Sequence, residues 1–264
     1  MTTVHTLASG SSGNAAVFTC GDTHFLIDAG ISCRRITSAL KELGLSPVEL
    51  TAILITHTHT DHIAGLNVLL KKTDCPILAT ARTCRELRYR LVEIDARLQE
   101  TDGPTNVGEV DITPIPTSHD APGSCGWRLD TESGSVGFLT DTGYITDEAA
   151  DLLPGVDLAV LEANHDVESL CSGPYPYYLK QRILGLEGHL CNKDAAAFAV
   201  ALVESGASEI ILAHLSKDNN TPAMALNAVE SALSAAGLSS ALTVAPRDTV
   251  GTCHTVARRA VCRK

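Results

Sequence analysis

Five short apolar runs in this chain each lead to a residue that can hold a metal or move a proton. "TAILIT" (51–56) stops at His57, "VDITPIPTS" (110–118) at His119, "VGFLT" (136–140) at Asp141 and "EIILA" (209–213) at His214. "DLAVLE" (157–162) delivers Glu162 itself, with Asn164, His165 and Asp166 just behind. Such runs suit strands buried on both faces. In an open α/β sheet, sites form beyond the carboxyl ends of the strands. The run ends can therefore all reach one mouth. Helical segments fall between the runs. "SCRRITSALKELG" (32–44) puts Ile36, Leu40 and Leu43 on one face, with Ser32 as N-cap and Gly44 past the end. Residues 83–98 set Cys84, Leu87, Leu91, Ile94 and Leu98 at helical spacing. Residues 193–206 and 221–237 read as Ala-rich helices, the second with Thr221 as cap and Pro222 in its first turn. The order is α/β.

With 264 residues, 44% of them hydrophobic, the chain can build a large core. No linker, repeat or low-complexity segment divides it, so residues 1–264 are read as one domain. No apolar run approaches the ~20 residues of a membrane span. The N-terminus lacks a basic stretch followed by an apolar one, so no signal peptide is expected. Nine cysteines without a CxxC pair suggest free thiols in a reducing compartment, the cytoplasm. The formal charge of −11 gives no general attraction to nucleic acid, which argues against a DNA coat. It leaves room for a nuclease with a local basic strip. Residues 71–97 hold seven Lys/Arg against four acids, and this strip is either a phosphate contact or a solvated helix face.

The densest group of ligand-type residues is "HTHTDH", His57 to His62. Neutral imidazole and carboxylate suit zinc, and also manganese or iron. His57 and His59 point the same way in an extended segment. Asp61 and His62 follow a turn and can face a second point, which argues for two metal ions. Asp61 is also expected to cap a helix beginning near His62.

"THTHTDH" resembles the HxHxDH signature of the metallo-β-lactamase fold superfamily, whose members fold as a four-layer αββα sandwich with metals at one edge. "LASGSSGNA" (7–15), "LIDAGIS" (26–32), "TSHDAPGSCGW" (117–127), "TDTGYI" (140–145), "LEANHD" (161–166), "GPYPYYLKQRILGLEGHLCN" (173–192) and "AHLSKDNNTP" (213–222) are similar, in order, to the YycJ (WalJ) family within it. The resemblance implies a two-metal hydrolase, a 5′-to-3′ exonuclease on duplex DNA. It assigns His57, His59 and His119 to one ion, Asp61, His62 and His214 to the other, and Asp141 as a bridge. His119 and His214 as loop caps, and Asp141 as a turn residue, are the plain alternatives. By analogy with the tRNA 3′-processing endonuclease of this superfamily, Glu162 would orient His189, a general acid for the leaving oxygen; the alternative is that His189 caps the helix after it. His165 either binds phosphate or bonds within its loop.

"SGSSGN" offers Ser11, Ser12 and Asn14 as phosphate donors, or is a turn between strands. Lys180 and Arg182 are backbone contacts or solvated helix residues. "GHLCN" carries Cys191 where the family commonly has Ser. The gap between Asp141 and His214 is too short for the extra domain of β-CASP nucleases. The competing function is a small-molecule hydrolase, of a cyclic phosphodiester or a thioester; a third reading is a metal-binding regulator without catalysis. No protein partner and no oligomeric state is implied.

Overall fold

The computed structural model describes residues 1–91 and 94–257. In chain order the strands are β1 (Thr2–Ala8), β2 (Ala15–Cys20), β3 (Thr23–Ile27), β4 (Ala52–Leu54), β5 (Ile77–Ala79), β6 (Leu98–Glu100), β7 (Thr105–Val107), β8 (Val110–Pro116), β9 (Cys125–Thr131), β10 (Gly134–Leu139), β11 (Leu158–Glu162), β12 (Glu209–Ala213), β13 (Ala241–Val244) and β14 (His254–Val256). The helices are α1 (Cys33–Glu42), α2 (Thr60–Ile63), α3 (Leu66–Leu69), α4 (Ala81–Arg90), α5 (Asp147–Leu152), α6 (Val167–Ser172), α7 (Tyr177–Leu184), α8 (Asn192–Glu204) and α9 (Pro222–Ala235). Two seven-stranded sheets result, in the orders β14-β1-β2-β3-β4-β5-β6 and β13-β12-β11-β10-β9-β8-β7. Each is antiparallel over the stretch from β14 to β3 or from β7 to β10, and parallel beyond it.

Three apolar layers explain the continuous apolar runs. Between the sheets lie Phe18, Phe25, Ile27 and Leu54 from one and Trp127, Leu129, Phe138 and Val160 from the other. Residues of opposite parity, Leu26 and Ile53 among them, face the helical layer of Ile36, Leu40, Leu69 and Leu87. Beyond the second sheet, Leu161, Ile210 and Leu212 meet Phe198 and Leu202 of α8 and Val229 of α9. A strand between two such layers is buried on both faces, as β10 and β11 are throughout. The architecture is the expected αββα sandwich. Fully burying each large side chain contributes about 1.5–3 kcal/mol.

Several local expectations hold. Ser32 Oγ accepts from Arg35 N–H at the start of α1, Thr221 Oγ1 accepts from Met224 N–H at the start of α9, and Gly44 takes a φ of 76° past the end of α1. Three differ. The helix expected over 83–98 ends at Arg90, and Leu98 begins β6 beside β5. Residues 92 and 93 of that stretch, like Cys262 among the nine cysteines, lie outside the described residues. Periodicity ran on because Ile94 and Leu98 also face the core, from a loop and a strand. β8 is not buried on both faces: Asp111 and Pro116 are exposed, since only the short β7 lies beyond it. Asp61 does not cap α2. His59 holds the N-cap position, without a side-chain bond, and Asp61 lies inside the first turn.

The strand ends carry the backbone feature that aims the site. Among non-glycine described residues, only Asp28, Asp141 and His214 have positive φ, 60°, 58° and 57°. Each follows a strand, after β3, β10 and β12. The left-handed conformation is tolerated best by Asp, Asn and His among bulky residues, and clusters at functional sites. It turns the chain sharply at the sheet edge. Gly30 serves the same edge: a Cβ there would sit 1.6 Å from the Asp61 carbonyl oxygen, so only glycine lets these loops touch.

Candidate metal centre

The sheet edges bring every proposed ligand together. Three sets of donor atoms meet closely: His57, His59 and His119; Asp61, His62 and His214; and His57, His62 and Asp141. A fourth holds Asp141, Glu162, His189 and His214. His57, His62, His119, His214 and Asp141 are buried, while the Asp61 side chain is 24% exposed and faces solvent at the mouth.

Hydrogen bonds set the imidazole tautomers. Asp28 Oδ2 accepts from His62 Nδ1 at 2.7 Å, and Glu162 Oε1 accepts from His214 Nδ1 at 2.9 Å. The Gly188 carbonyl accepts from His119 Nδ1 at 3.1 Å. Thr56 donates its hydroxyl to Asp28 Oδ2 at 2.8 Å, so its oxygen accepts from His57 Nδ1 at 3.1 Å. In each ring the Nδ1 proton is held, so Nε2 is the atom turned inward, a ligand wherever it carries no proton. His57 Nε2, His214 Nε2 and Asp141 Oδ2 are buried without a hydrogen-bond partner. His119 Nε2 and His59 Nδ1 lie 3.1 Å apart, close enough to face one cation. Buried polar atoms left without partners are costly, and a cation between them would engage them. The donor set fits divalent ions, with the carboxylate–histidine supports that such sites use.

The charges agree. Burial, with His62 close by, holds the His57 ring well below the ordinary imidazole range, hence neutral. Burial opposes charge on His62 and His214 also, but Asp141 and the supporting carboxylates outweigh it; His62 is pushed well up and His214 to about 10. Without a cation those protons balance the carboxylates, and metal binding displaces them. Burial would raise Glu162, yet His189 and His214 hold its carboxyl at about 2.

Glu162 does more than orient one histidine. Its Oε1 lies 2.9 Å from Nδ1 of both His189 and His214, and its Oε2 accepts from Thr142 N–H at 3.0 Å and Leu190 N–H at 3.3 Å. His189 does not cap α8, because Cys191 holds that position. Its side chain is 19% exposed, at the open side of the cluster. Two residues carry structural weight that the sequence reading left without a role. Asp28, in "LIDAGIS", accepts from Thr56 N–H, Thr56 Oγ1 and His62 Nδ1. Asp120 pairs with Arg182 at 2.6 Å and stands 3.5 Å from His59 Nε2. Their signal was an acid next to a motif residue, and only the fold shows what each faces.

The expected substrate contacts fare unevenly. Ser11 and Ser12 are exposed at the loop tip. Asn14 turns inward: its Oδ1 accepts from Gly10 N–H, and its Nδ2 lies 3.0 Å from His62 Nε2 and 3.4 Å from the Asp61 carbonyl. It braces the Asp61–His62 turn. Lys180 donates to the carbonyls of Cys171 and Gly173, both at 2.7 Å, so its ammonium ties down the end of α6. Arg182 reaches the rim through Asp120. The His165 ring is buried and held to about 4 by burial, with Nδ1 3.3 Å from Asn164 Oδ1.

Comparison with known proteins places the chain. Residues 23–215 match the model of the beta-lactamase superfamily domain. The exodeoxyribonuclease WalJ of Streptococcus pneumoniae serotype 2 (strain D39) is 40% identical over 224 residues, 83% of each chain. The exodeoxyribonuclease YycJ of Bacillus anthracis is 35% identical over 234 residues, 88% of this chain and 89% of that one. The crystal structure of the metallo-beta-lactamase fold protein YhfI from Bacillus subtilis superposes with a TM-score of 0.72 at 19% identity, covering 95% of this chain and 99% of that one. The likeness to YhfI shows the fold, and the identities to WalJ and YycJ show the closer kinship: the chain belongs to the metallo-β-lactamase superfamily, in the family that includes the WalJ and YycJ proteins.

Proposed function

We propose that the protein is a phosphodiesterase that works with two divalent ions, zinc or manganese, with iron also suited, and that it digests DNA as a 5′-to-3′ exonuclease. The support for DNA is the name of both relatives, exodeoxyribonuclease, over most of this chain. The observation that carries the reading at the site is Glu162 Oε1, 2.9 Å from both His214 and His189. It links the ligand set to a partly exposed imidazole outside it. His57, His59 and His119 would hold one ion and Asp61, His62 and His214 the other, with Asp141 between them. Bound ions of this kind supply an activated water and a clamp for in-line displacement at phosphorus.

The chain's own residues do the rest. Asp61, the carboxylate nearest solvent, accepts a proton from the attacking water. Glu162 accepts from His189 Nδ1–H and stabilises the imidazolium, which leaves Nε2 to protonate the departing oxygen. Arg182 is a rim cation, held beside His59 through Asp120, and Ser11 and Ser12 offer hydroxyls to phosphate from their loop. We take residues 1–264 as one hydrolase domain acting in the cytoplasm. No helix among the described residues is long and apolar enough to cross a membrane.

The test is a substrate panel: 5′-labelled duplex DNA, single-stranded DNA, RNA and cyclic dinucleotides, under zinc and under manganese. The reading expects mononucleotides released from DNA, starting at the 5′ end. Hydrolysis of the small diester alone would overturn it.

A further inference from the structure

We propose that a groove running from the metal centre along α4 holds the phosphate backbone of the substrate strand, with Arg82 and Arg85 as its cations. The proposal rests on the DNA reading above. Two adjoining hollows form the groove. One, of about 560 Å³, includes His119 and Asp120 at the edge of the centre and reaches Arg82. The other, of about 710 Å³, continues past Arg82 to Arg85 and Asp102. They share Pro116, Gly123 and Ser124 as well as Arg82, so the two hollows adjoin along these residues.

The basic strip of residues 71–97 separates into two kinds of cation. Arg88 pairs with Asp95 and Glu100, Arg97 pairs with Asp74, and Arg90 donates to the Thr58 carbonyl. These guanidinium groups are engaged in holding the fold. Arg82 and Arg85 are exposed and make no ion pair or side-chain hydrogen bond among the described residues. Three apart on one helix, they share a face, which Tyr89 continues at 83% exposure. Unpaired arginines followed by an open aromatic ring are the elements that grip a single strand: charge for phosphates and a π-face for a base.

Their position is fixed. Thr80 Oγ1 and Thr83 Oγ1 both donate to the Gly123 carbonyl, at 2.8 and 3.0 Å. Gly123 has a φ of 77°, and a Cβ there would lie 2.6 Å from Arg82 Cβ. This clamp locks the start of α4 to the turn that follows His119 and Asp120. Of the groove's acids, Asp120 is bound by Arg182 and Asp102 accepts from Ala81 N–H at the start of α4; Asp102 and Glu187 are its anions without a cation partner among the described residues.

The test is fluorescence anisotropy with the metal-loaded full chain and a labelled single-stranded oligonucleotide of phosphorothioate backbone, which resists cleavage. Arg82→Ala and Arg85→Ala should each raise Kd severalfold, and the double variant tenfold or more. The slope of log Kd against log salt should fall by about 1.4 in the double variant, about 0.7 for each phosphate contact on a single strand. Arg88→Ala, which removes the same charge from an engaged site, should bind as the wild type does. Glu187→Gln should bind more tightly. An unchanged Kd and slope in the double variant overturns the proposal, and so does an equal loss in Arg88→Ala. If the losses appear as expected but the wild type digests no DNA, the groove stands and the exonuclease reading fails.

Discussion

Replacing His189 by alanine separates chemistry from metal binding. Its Nδ1 lies 2.9 Å from Glu162 Oε1, and Glu162 is fully buried, so the carboxylate faces the ring without solvent between them. The same atom supports His214, which ties proton donation to the metal centre through one oxygen. Removing a general acid lowers kcat by roughly 10²–10⁴-fold, equivalent to about 3–5 kcal/mol of barrier. On DNA the departing oxygen is strongly basic, and the full loss is expected. On bis(p-nitrophenyl) phosphate, whose leaving group needs little protonation, the loss should shrink toward unity. Bound metal, measured on the same preparation, should stay at the wild-type level, and so should the melting temperature. Loss of a metal with the side chain would mean that His189 is a ligand, as its place in the cluster with Asp141 and His214 allows. Equal rate losses on both substrates, or DNA cleavage at the wild-type rate, would refute proton donation. Glu162→Gln is the harsher change. All four contacts of this carboxylate come from N–H donors, two to each oxygen, so the amide always turns its own N–H toward two of them, at about 1–3 kcal/mol for each group left unpaired.

Three further outcomes follow from the geometry. Asp141→Ala, at the point between both ligand sets, should abolish retention of both ions, whereas Asp61→Ala should mainly lower occupancy of one; metal analysis of the two purified variants decides, and equal losses would remove Asp141 from its bridging place. Asp28→Asn weakens the acceptor that orients His62 and should reduce metal affinity roughly 10–100-fold; competition with a chelating indicator reads it, and an unchanged affinity would mean that the ring needs no such support. Cys191 sits at the N-cap of α8 without capping a backbone N–H; Cys191→Ser should add about 1 kcal/mol, seen as a raised melting temperature at unchanged kcat.

Much of this site was legible because its residues end strands. An apolar run that stops at His57, His119, Asp141 or His214 carries both its own burial and its exit point, and the α/β order follows from the runs and helices between them; the αββα sandwich was implied by the family resemblance. What stayed hidden depends on contacts distant in sequence. Asp28 is one acid after one strand, and nothing local shows that it meets Thr56 and His62. Asn14 reads as an outward donor until the Gly30 contact brings Asp61 against its loop. Lys180 reads as a free cation, yet the end of α6 lies within its reach. Residues 83–98 kept helical spacing across a helix end, because core residues of a loop and a strand can mimic the same period. The separation of engaged from free arginines on α4 is likewise a property of the fold, not of spacing.

The central claim is that seven side chains at the sheet edges form a single two-metal centre. Anomalous diffraction at the zinc or manganese edge, on crystals grown with saturating metal and no chelator, tests it most directly. The account predicts two peaks for each chain, roughly 3.5–4 Å apart as is usual for such pairs, one against His57, His59 and His119 and the other against Asp61, His62 and His214, with Asp141 touching both. A single peak at full occupancy, with His214 turned away, would contradict it.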